Sequence, residues 1–356
     1  MLQGYNYCPV LKARAAEIKA LEQLPAPSRS LTFPTIAIRP WPNAKKLERT
    51  WEKITGAMGL GRFALDLDHQ WLGRGTQKPA ALEFEALFDP SDGYSNYYDL
   101  VKSIPTAIPV LRVDGGGVRD LDRQLDHASQ IERGLVVRVE HDHTPNPILL
   151  LKTLAGELDA FVAVIDLGWS LDLLSREAWA SQIIQAVTEV ASLDEEHVEL
   201  VVCGSSFPEV FTNFGARKEV RVTERAIFDS LVRRHNAANL KYGDWASTRP
   251  QVPPTPMNPT YRIDLPLSTE WVCFRQVGEE QSYGDIANRL MVDRAWPASM
   301  SIWGTKVIEW TANDLPGSIR SPAVATAVRV NIHMHRQAQF GVQAVISDVD
   351  EPWTDE

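Results

Sequence analysis

Short apolar stretches that end in charged residues recur along this chain, and they constrain its fold more than any other feature. In residues 134–140 the charged Arg138 and Glu140 fall on the same side of an extended chain as Val136, because strand side chains alternate between two faces. Charge also lies at or near the end of the apolar stretches 63–68, 109–114 and 163–167. The recurrence predicts equivalent strands whose charged ends gather at one place.

Eight strand-like stretches occupy the first 250 residues, most of them separated by helical patterns. They are residues 7–12, 34–39, 62–68, 107–113, 135–140, 161–167, 198–203 and 240–245. Alternating strands and helices indicate a parallel α/β sheet, and eight such units predict a TIM-like (β/α)8 barrel. A doubly wound open sheet is the alternative, because periodicity does not show whether a sheet closes. We choose residues 240–245 as the eighth strand and assign residues 220–222 to the connection before it.

Two regions depart from this rhythm. Residues 70–95, with glycine, proline and aromatic residues, predict a long loop or insertion. Residues 250–259 contain five prolines and predict a linker or a fixed loop. Beyond the linker the pattern is mixed: it predicts strands at 271–276 and 306–310, and helices at 283–296 and 321–340.

The change of pattern divides the chain into two domains. Residues 1–250 form the predicted barrel, and residues 251–356 form a C-terminal α+β extension packed on it. The acidic end, from about residue 348, is expected to be frayed.

The charged strand ends are the candidate site, because barrel enzymes carry their chemistry at the carboxyl ends of the strands. Charges are costly to bury unless paired or bound, so their recurrence on several strands favours a function. The catalytic candidates are Asp66, Asp68, Glu140, Asp166 and Lys12. The ligand-binding candidates are Arg39, Arg112, Arg138, Ser205, Asp244 and Trp245.

Each residue type suggests a role. The arginines can hold anionic oxygens through paired hydrogen bonds. One of the carboxylates can serve as a base or a metal ligand. Lys12 is either a charge clamp or, if burial lowers its pKa, a Schiff-base nucleophile. Trp245 either stacks on a planar ligand or covers the core. An Asp–Arg network that only fills the end of the barrel is the structural alternative.

Histidines follow two of these strand ends. His69 comes after Asp68, and His141 and His143 come after Glu140. Their side chains are compatible with metals, but they lack a spacing such as His-x-x-x-His that would place two of them side by side. We therefore assign no metal and leave the cofactor unknown; exposed loop histidines are the simpler interpretation.

Composition limits the kinds of partner and the cellular location that this chain is expected to have. A net charge of −10 argues against nucleic acid and anionic membrane surfaces. No apolar run is long enough to span a bilayer, and the N-terminus lacks the pattern of a secretory signal. The three cysteines, Cys8, Cys203 and Cys273, are scattered rather than grouped as a disulfide framework. We expect a cytoplasmic protein.

Several motifs resemble those of the beta protein family. The opening Tyr7-x-Pro9-Val10-Leu11-Lys12, followed by Glu17 and Ala20-Leu21, is similar to that family's entry motif. Residues 34–38, Pro-Thr-Ile-Ala-Ile, are similar to its second strand, and residues 242–245, Tyr-Gly-Asp-Trp, to its eighth. The resemblance implies a protein of phages, prophages or defence-associated loci, and it supplies no established activity.

Two functions fit these observations. The first is a barrel that binds a small anionic or nucleotide-like ligand at the carboxyl ends of its strands and hydrolyses it. The second is a non-catalytic interaction protein of a phage or defence locus, with the barrel as a scaffold and the C-terminal extension as the partner surface. Whether the strand-end charges are cross-paired, and whether a cavity opens beside them, discriminates between the two.

Overall fold

A computed structural model describes residues 1–71, 78–113, 118–190, 198–236, 240–249, 261–278 and 282–342. The strands in this part of the chain are β1 Val10–Lys12, β2 Thr35–Ile38, β3 Phe63–Leu67, β4 Ala107–Pro109, β5 Val136–Glu140, β6 Phe161–Trp169, β7 Val198–Ser205, β8 Arg217–Arg221, β9 Leu240–Tyr242, β10 Arg262–Pro266 and β11 Glu270–Arg275. The helices are α1 Ala15–Glu22, α2 Ala26–Ser30, α3 Glu48–Met58, α4 Pro79–Ala86, α5 Ser95–Ser103, α6 Leu121–Ile131, α7 Pro147–Glu157, α8 Glu177–Val190, α9 Thr223–His235, α10 Tyr283–Met291, α11 Trp303–Ala312 and α12 Pro322–Ala338.

Two parallel sheets of four strands dominate the described structure. Their orders are β1-β2-β3-β4 and β5-β6-β7-β9. Single parallel bridges join the two sheets, from Val110 to Val136 beside β4 and β5, and from Tyr7 to Tyr242 beside β1 and β9. The predicted α/β class with parallel sheets is confirmed, and residues 240–242 are a parallel strand beside β7 as expected.

The two faces of these strands lie in different apolar clusters. Leu65, Val137 and Ile165 pack with helix residues in the largest cluster. The alternate side chains Ala64 and Val136 belong to a second cluster. Other members of the second cluster are Leu2, Cys8, Val10, Phe33, Ile108, Val110, Val162, Val164, Val201, Cys203 and Trp245. A sheet covered on both faces requires such strands to be apolar on both sides.

Close backbone contact holds β9 against the start of β1. A Cβ atom added at Gly243 would overlap the carbonyl oxygen of Cys8 and lie 3.0 Å from Cβ of Cys203. We expect Gly243→Ala to lower the free energy of unfolding, measured with denaturant, by about 1–3 kcal/mol. Gly156→Ala in α7 is the matched control, because nothing lies within 4 Å of the new Cβ. Unchanged stability in Gly243→Ala would contradict the close approach.

The C-terminal elements form a third apolar cluster. Strands β10, β11 and β8 form an antiparallel sheet in that order, and its apolar side chains pack with those of α10, α11 and α12. Helix α12 contributes to two clusters: Val330 and Met334 pack with the parallel strands, whereas Val328 and Ile332 pack with the C-terminal sheet. This helix therefore couples the two parts of the described chain.

Two predicted segments differ from the structure. Residues 306–310, predicted as a strand, lie in helix α11, where Val307, Ile308 and Thr311 are buried on one side. The strand prediction for residues 306–310 was therefore wrong. A short apolar run fits both the two-residue period of a strand and the 3.6-residue period of a helix, so the sequence pattern did not distinguish them. The predicted loop 70–95 contains helix α4, which begins at Pro79 in the first helical turn, where proline is favourable.

The segment at 220–222 also differs. Val220 and Arg221 belong to β8, which pairs with β11 in the antiparallel sheet. The assignment of these residues to a plain connection was therefore wrong. Their partner strand, β11, lies about 50 residues further along the chain, and local sequence patterns do not predict such pairing. The proline-rich stretch at 250–259 and the acidic tail from 348 lie outside the described residues, as does Asp114.

Candidate functional site

Charged side chains from β3, β5 and β6, and from Arg112 just after β4, meet in one group, here called the charge cluster: Asp66, Arg112, Arg138, Glu140 and Asp166. Arg138 is its centre. Its Nη1 donates to Asp66 at 2.7 Å, and its Nε and Nη2 donate to Asp166 at 3.0 and 2.8 Å. Its Nη2 also lies 3.0 Å from Glu140 Oε2. Arg112 Nη1 donates to the other oxygen of Asp66 at 2.6 Å. Five predicted site residues therefore lie together.

Pairing compensates for the burial of these charges. Burial alone would raise the pKa of Asp66, but the guanidinium groups of Arg138 and Arg112 hold that pKa below its usual range. Burial would lower the pKa of Arg138, and the neighbouring carboxylates raise it instead. At Glu140, burial prevails over Arg138 and raises the pKa to about 7. Asp66 is thus held as an anion, whereas Glu140 has the character of a proton donor and acceptor near neutrality.

Lys12, Arg39 and Asp68 form a second ionic group beside the charge cluster. Lys12 Nζ donates to Asp68 at 2.8 Å and to Gln70 Oε1 at 2.6 Å, and Arg39 Nη1 lies 3.7 Å from Asp68. Burial lowers the pKa of Lys12 to about 8, against the opposing effect of Asp68. The space beside Lys12 measures about 10 Å³, which is too small for a carbonyl substrate. The arrangement favours a charge clamp over a Schiff-base nucleophile.

A cavity of about 320 Å³ opens beside the charge cluster. Its lining residues come from the ends of β3, β4 and β5 and from the segment before α5. They are Asp66, His69, Phe88, Tyr94, Val110, Leu111, Arg112, Val113, Arg138, Glu140, His143 and Thr144. A neighbouring cavity of about 110 Å³ shares Glu140 and His143 and is lined by Trp169 and Trp245. The larger volume is within the range of small-molecule sites, about 300–1,000 Å³.

The Arg112 guanidinium lies beside aromatic rings at this cavity. Its guanidinium lies 5.4 Å from the ring centre of Tyr97 and 5.7 Å from that of Phe88. Its Nε is buried and has no hydrogen-bond partner among the residues that the structure describes. A buried donor without a partner is costly.

His69 and His143 approach Glu140 in the same cavity. The donor atoms of these three side chains all lie within 4.8 Å of one another. Burial, and then the charge of Arg138, lower the pKa of His69 to about 4. The interpretation of both residues as plain loop histidines missed this proximity, because they follow strands that are not neighbours in sequence. The only available signal was that both histidines follow charged strand ends.

Asp244 lies away from the charge cluster, in a buried network against α12. It pairs with His333 Nε2 at 2.6 Å and accepts hydrogen bonds from Tyr242 Oη at 2.8 Å and from Tyr7 Oη. Burial would raise its pKa, but His333 and the hydrogen bonds from Tyr7 and from the backbone N–H of Ala246 lower it. Asp244 borders none of the cavities described above. Its surroundings indicate that it links β9 to α12.

The last two predicted residues have different surroundings. Trp245 joins the charge cluster: its Nε1 donates to Asp166 at 3.1 Å, and its ring lies 5.2 Å from the Arg138 guanidinium. Ser205 Oγ instead donates to the carbonyl oxygen of Thr248 at 2.6 Å and borders none of the three cavities. Its contacts fix the turn after β9.

The fold and site define an α/β protein whose parallel strands bring charged ends to a ligand-sized cavity. The family model described as Beta protein matches residues 7–339, and the chain belongs to this family. It is similar to Protein beta of Enterobacteria phage P4, with 25% identity over 347 residues, 95% of this chain and 94% of the phage protein. No solved structure matches the chain significantly. Among the described helices, none combines the length and apolar character needed to cross a bilayer.

Proposed function

We propose that the eight parallel strands form one closed (β/α)8 barrel, residues 1–250, on which residues 251–356 pack as a C-terminal extension that shares its antiparallel sheet with β8. Hydrogen bonds at both edges of the two sheets support closure. Leu111 N donates to Val136 O at 2.8 Å, and Cys8 N and Val10 N donate to Tyr242 O and Asp244 O, each at 2.8 Å. An open doubly wound sheet would leave two of these edges without partners.

We propose that this barrel binds a small anionic or nucleotide-like ligand in the 320 Å³ cavity. The observation that carries the proposal is that Arg112 and Arg138 form the wall of a ligand-sized cavity that Phe88 and Tyr94 also line. Guanidinium groups suit phosphate or carboxylate oxygens, and aromatic rings suit a planar or apolar part of the same ligand.

Hydrolysis of that ligand is the proposed reaction. A carboxylate and two imidazoles, from Glu140, His69 and His143, line the cavity together with the arginines. Such groups activate water and protonate leaving groups in hydrolases. Asp66 and Asp166 would then be positioning residues that fix Arg138, since both accept its hydrogen bonds.

Thermal-shift measurements with inorganic pyrophosphate, AMP and a phosphosugar test the binding proposal. We expect at least one of them to raise the Tm of the wild type, and Arg112→Lys to weaken its binding about tenfold because lysine loses the guanidinium fork. Arg123→Lys is the matched control, since Arg123 is 64% exposed and pairs with Asp92 on the surface. No shift with any compound, or equal shifts in wild type and Arg112→Lys, would contradict the proposal.

A non-catalytic interaction protein is the second candidate, and the cross-pairing of the charge cluster favours it. Arg138 alone contacts three carboxylates, as expected where charges only stabilise a scaffold. The partner would then bind the C-terminal extension. For either function, the similarity to a phage protein supports a role in a phage or defence locus, and the buried free cysteines Cys8, Cys203 and Cys273 suit the cytoplasm.

A further inference from the structure

We propose that His69, Glu140 and His143 bind a divalent transition-metal ion, with zinc as the reference metal, in the cavity at the strand ends. Two imidazole nitrogens and one carboxylate oxygen are a ligand set of catalytic zinc sites, which keep a further position open. Imidazole ligands disfavour magnesium and calcium, which prefer oxygen. All three side chains line the 320 Å³ cavity together with Arg112.

The distances suit an ion. His69 Nδ1 lies 3.7 Å from Glu140 Oε1, too far apart for a hydrogen bond. Two donors bound to one tetrahedral zinc ion, each at about 2.1 Å, lie about 3.4 Å apart. The distance between His69 Nδ1 and Glu140 Oε1 thus needs to shorten by only a few tenths of an ångström. Nε2 of His69 has no hydrogen-bond partner within the described residues, so none opposes a small rotation of the ring.

Glu140 is already oriented toward the histidines. Its Oε2 lies 3.0 Å from Arg138 Nη2, which leaves Oε1 on the side of His69. An arginine that holds one oxygen of a ligating carboxylate is the kind of outer contact that orients metal ligands. The charge cluster would therefore fix the Glu140 carboxylate that binds the ion, as well as the arginines of the proposed anion site.

A hydrogen-bonded turn holds His143 beside Glu140. The backbone N–H groups of His143 and Thr144 donate to the carbonyl oxygen of Glu140 at 3.2 and 2.9 Å. Thr144 Oγ1 accepts from Glu140 N at 2.9 Å. The rings of His143 and His69 meet edge to face, with centres 5.0 Å apart. The backbone thus brings the third ligand close, and rotation of the partly exposed side chain brings the nitrogen to the ion.

With the ion bound, the three side chains would serve as its ligands rather than as acid and base themselves. The role of the ion, polarising the bound anion for hydrolysis, rests on the proposed function; the binding of the ion does not. Co²⁺ titration of the EDTA-treated full chain, followed by its visible absorption, tests binding, and Zn²⁺ calorimetry gives the stoichiometry. We expect one ion per chain. His69→Asn and His143→Asn should each weaken binding at least tenfold, whereas His127→Asn, on α6 outside the cavity, should leave it unchanged.

The outcomes separate the two proposals. No cobalt absorption with the wild type would overturn the metal site. So would a cobalt affinity of His69→Asn and His143→Asn equal to that of the wild type. Thermal shifts of the metal-free protein with pyrophosphate, AMP and the phosphosugar are measured in parallel. If the ion binds and no anion does, the anion site alone is wrong; if the anion binds and the ion does not, the metal site alone is wrong. Circular dichroism verifies that each variant is folded.

Discussion

Replacement of Arg138 by methionine is expected to lower the free energy of unfolding by about 3–5 kcal/mol, the usual cost of breaking a buried ion pair on one side. The variant keeps the volume of the side chain but leaves the carboxylates of Asp66, Asp166 and Glu140 without their shared cation. Urea denaturation measures the loss. Arg123→Met removes an exposed arginine and is expected to cost less than about 1 kcal/mol.

The pH dependence of this loss identifies its cause. In the wild type, Arg138 and Arg112 hold the pKa of Asp66 below its usual range. Without Arg138, burial raises the folded-state pKa values of Asp66 and Glu140 above those of the unfolded chain. The folded variant then retains protons that the unfolded chain releases, so its stability falls as pH increases. The deficit relative to the wild type should grow from about pH 4 to neutrality; a deficit independent of pH would indicate a packing defect instead.

Asp244→Ala is expected to destabilise the protein by a similar amount, about 3–5 kcal/mol. The change leaves the fully buried His333 without its carboxylate and removes the acceptor of the Tyr7 and Tyr242 hydroxyl groups. Asp99→Ala, at an exposed position of α5, is the control and should be within about 0.5 kcal/mol of the wild type.

A second substitution tests the geometry of this network. Asp244→Asn keeps one acceptor oxygen and should lose less stability than Asp244→Ala. Thermal and denaturant unfolding of both variants gives the comparison. If Asp244→Ala unfolds within 1 kcal/mol of the wild type, about the cost of an ordinary substitution, Asp244 does not hold α12 against β9.

The position of the charge cluster could be predicted from sequence because strand side chains alternate with a period of two. With that period, Asp66, Arg138 and Asp166 lie on the side of their strands opposite Leu65, Val137 and Ile165, which pack with the helices. It did not define which charges pair. The Arg138 guanidinium contacts residues of three strands. These contacts depend on the order of the strands in the sheet, and no local stretch of sequence determines that order.

Other site features depend on contacts between distant segments. Asp244 has the same alternation as the cluster residues, but the chain turns just after it, at Ala246 and Ser247 with φ of 46° and 59°, and its carboxylate meets His333 of α12. The proximity of His69 to His143 likewise arises from turns after two strands. Local periodicity carries no information on either contact.

A double-mutant cycle between Asp66 and Arg138 tests most directly whether charged strand ends from separate parts of the chain meet. The free energies of unfolding of the wild type, Asp66→Asn, Arg138→Met and the double variant give the coupling energy. Because Arg138 Nη1 donates to Asp66 at 2.7 Å, we predict a coupling of about 1–3 kcal/mol. Additive effects, within about 0.5 kcal/mol, would contradict the charge cluster and the cavity built on it.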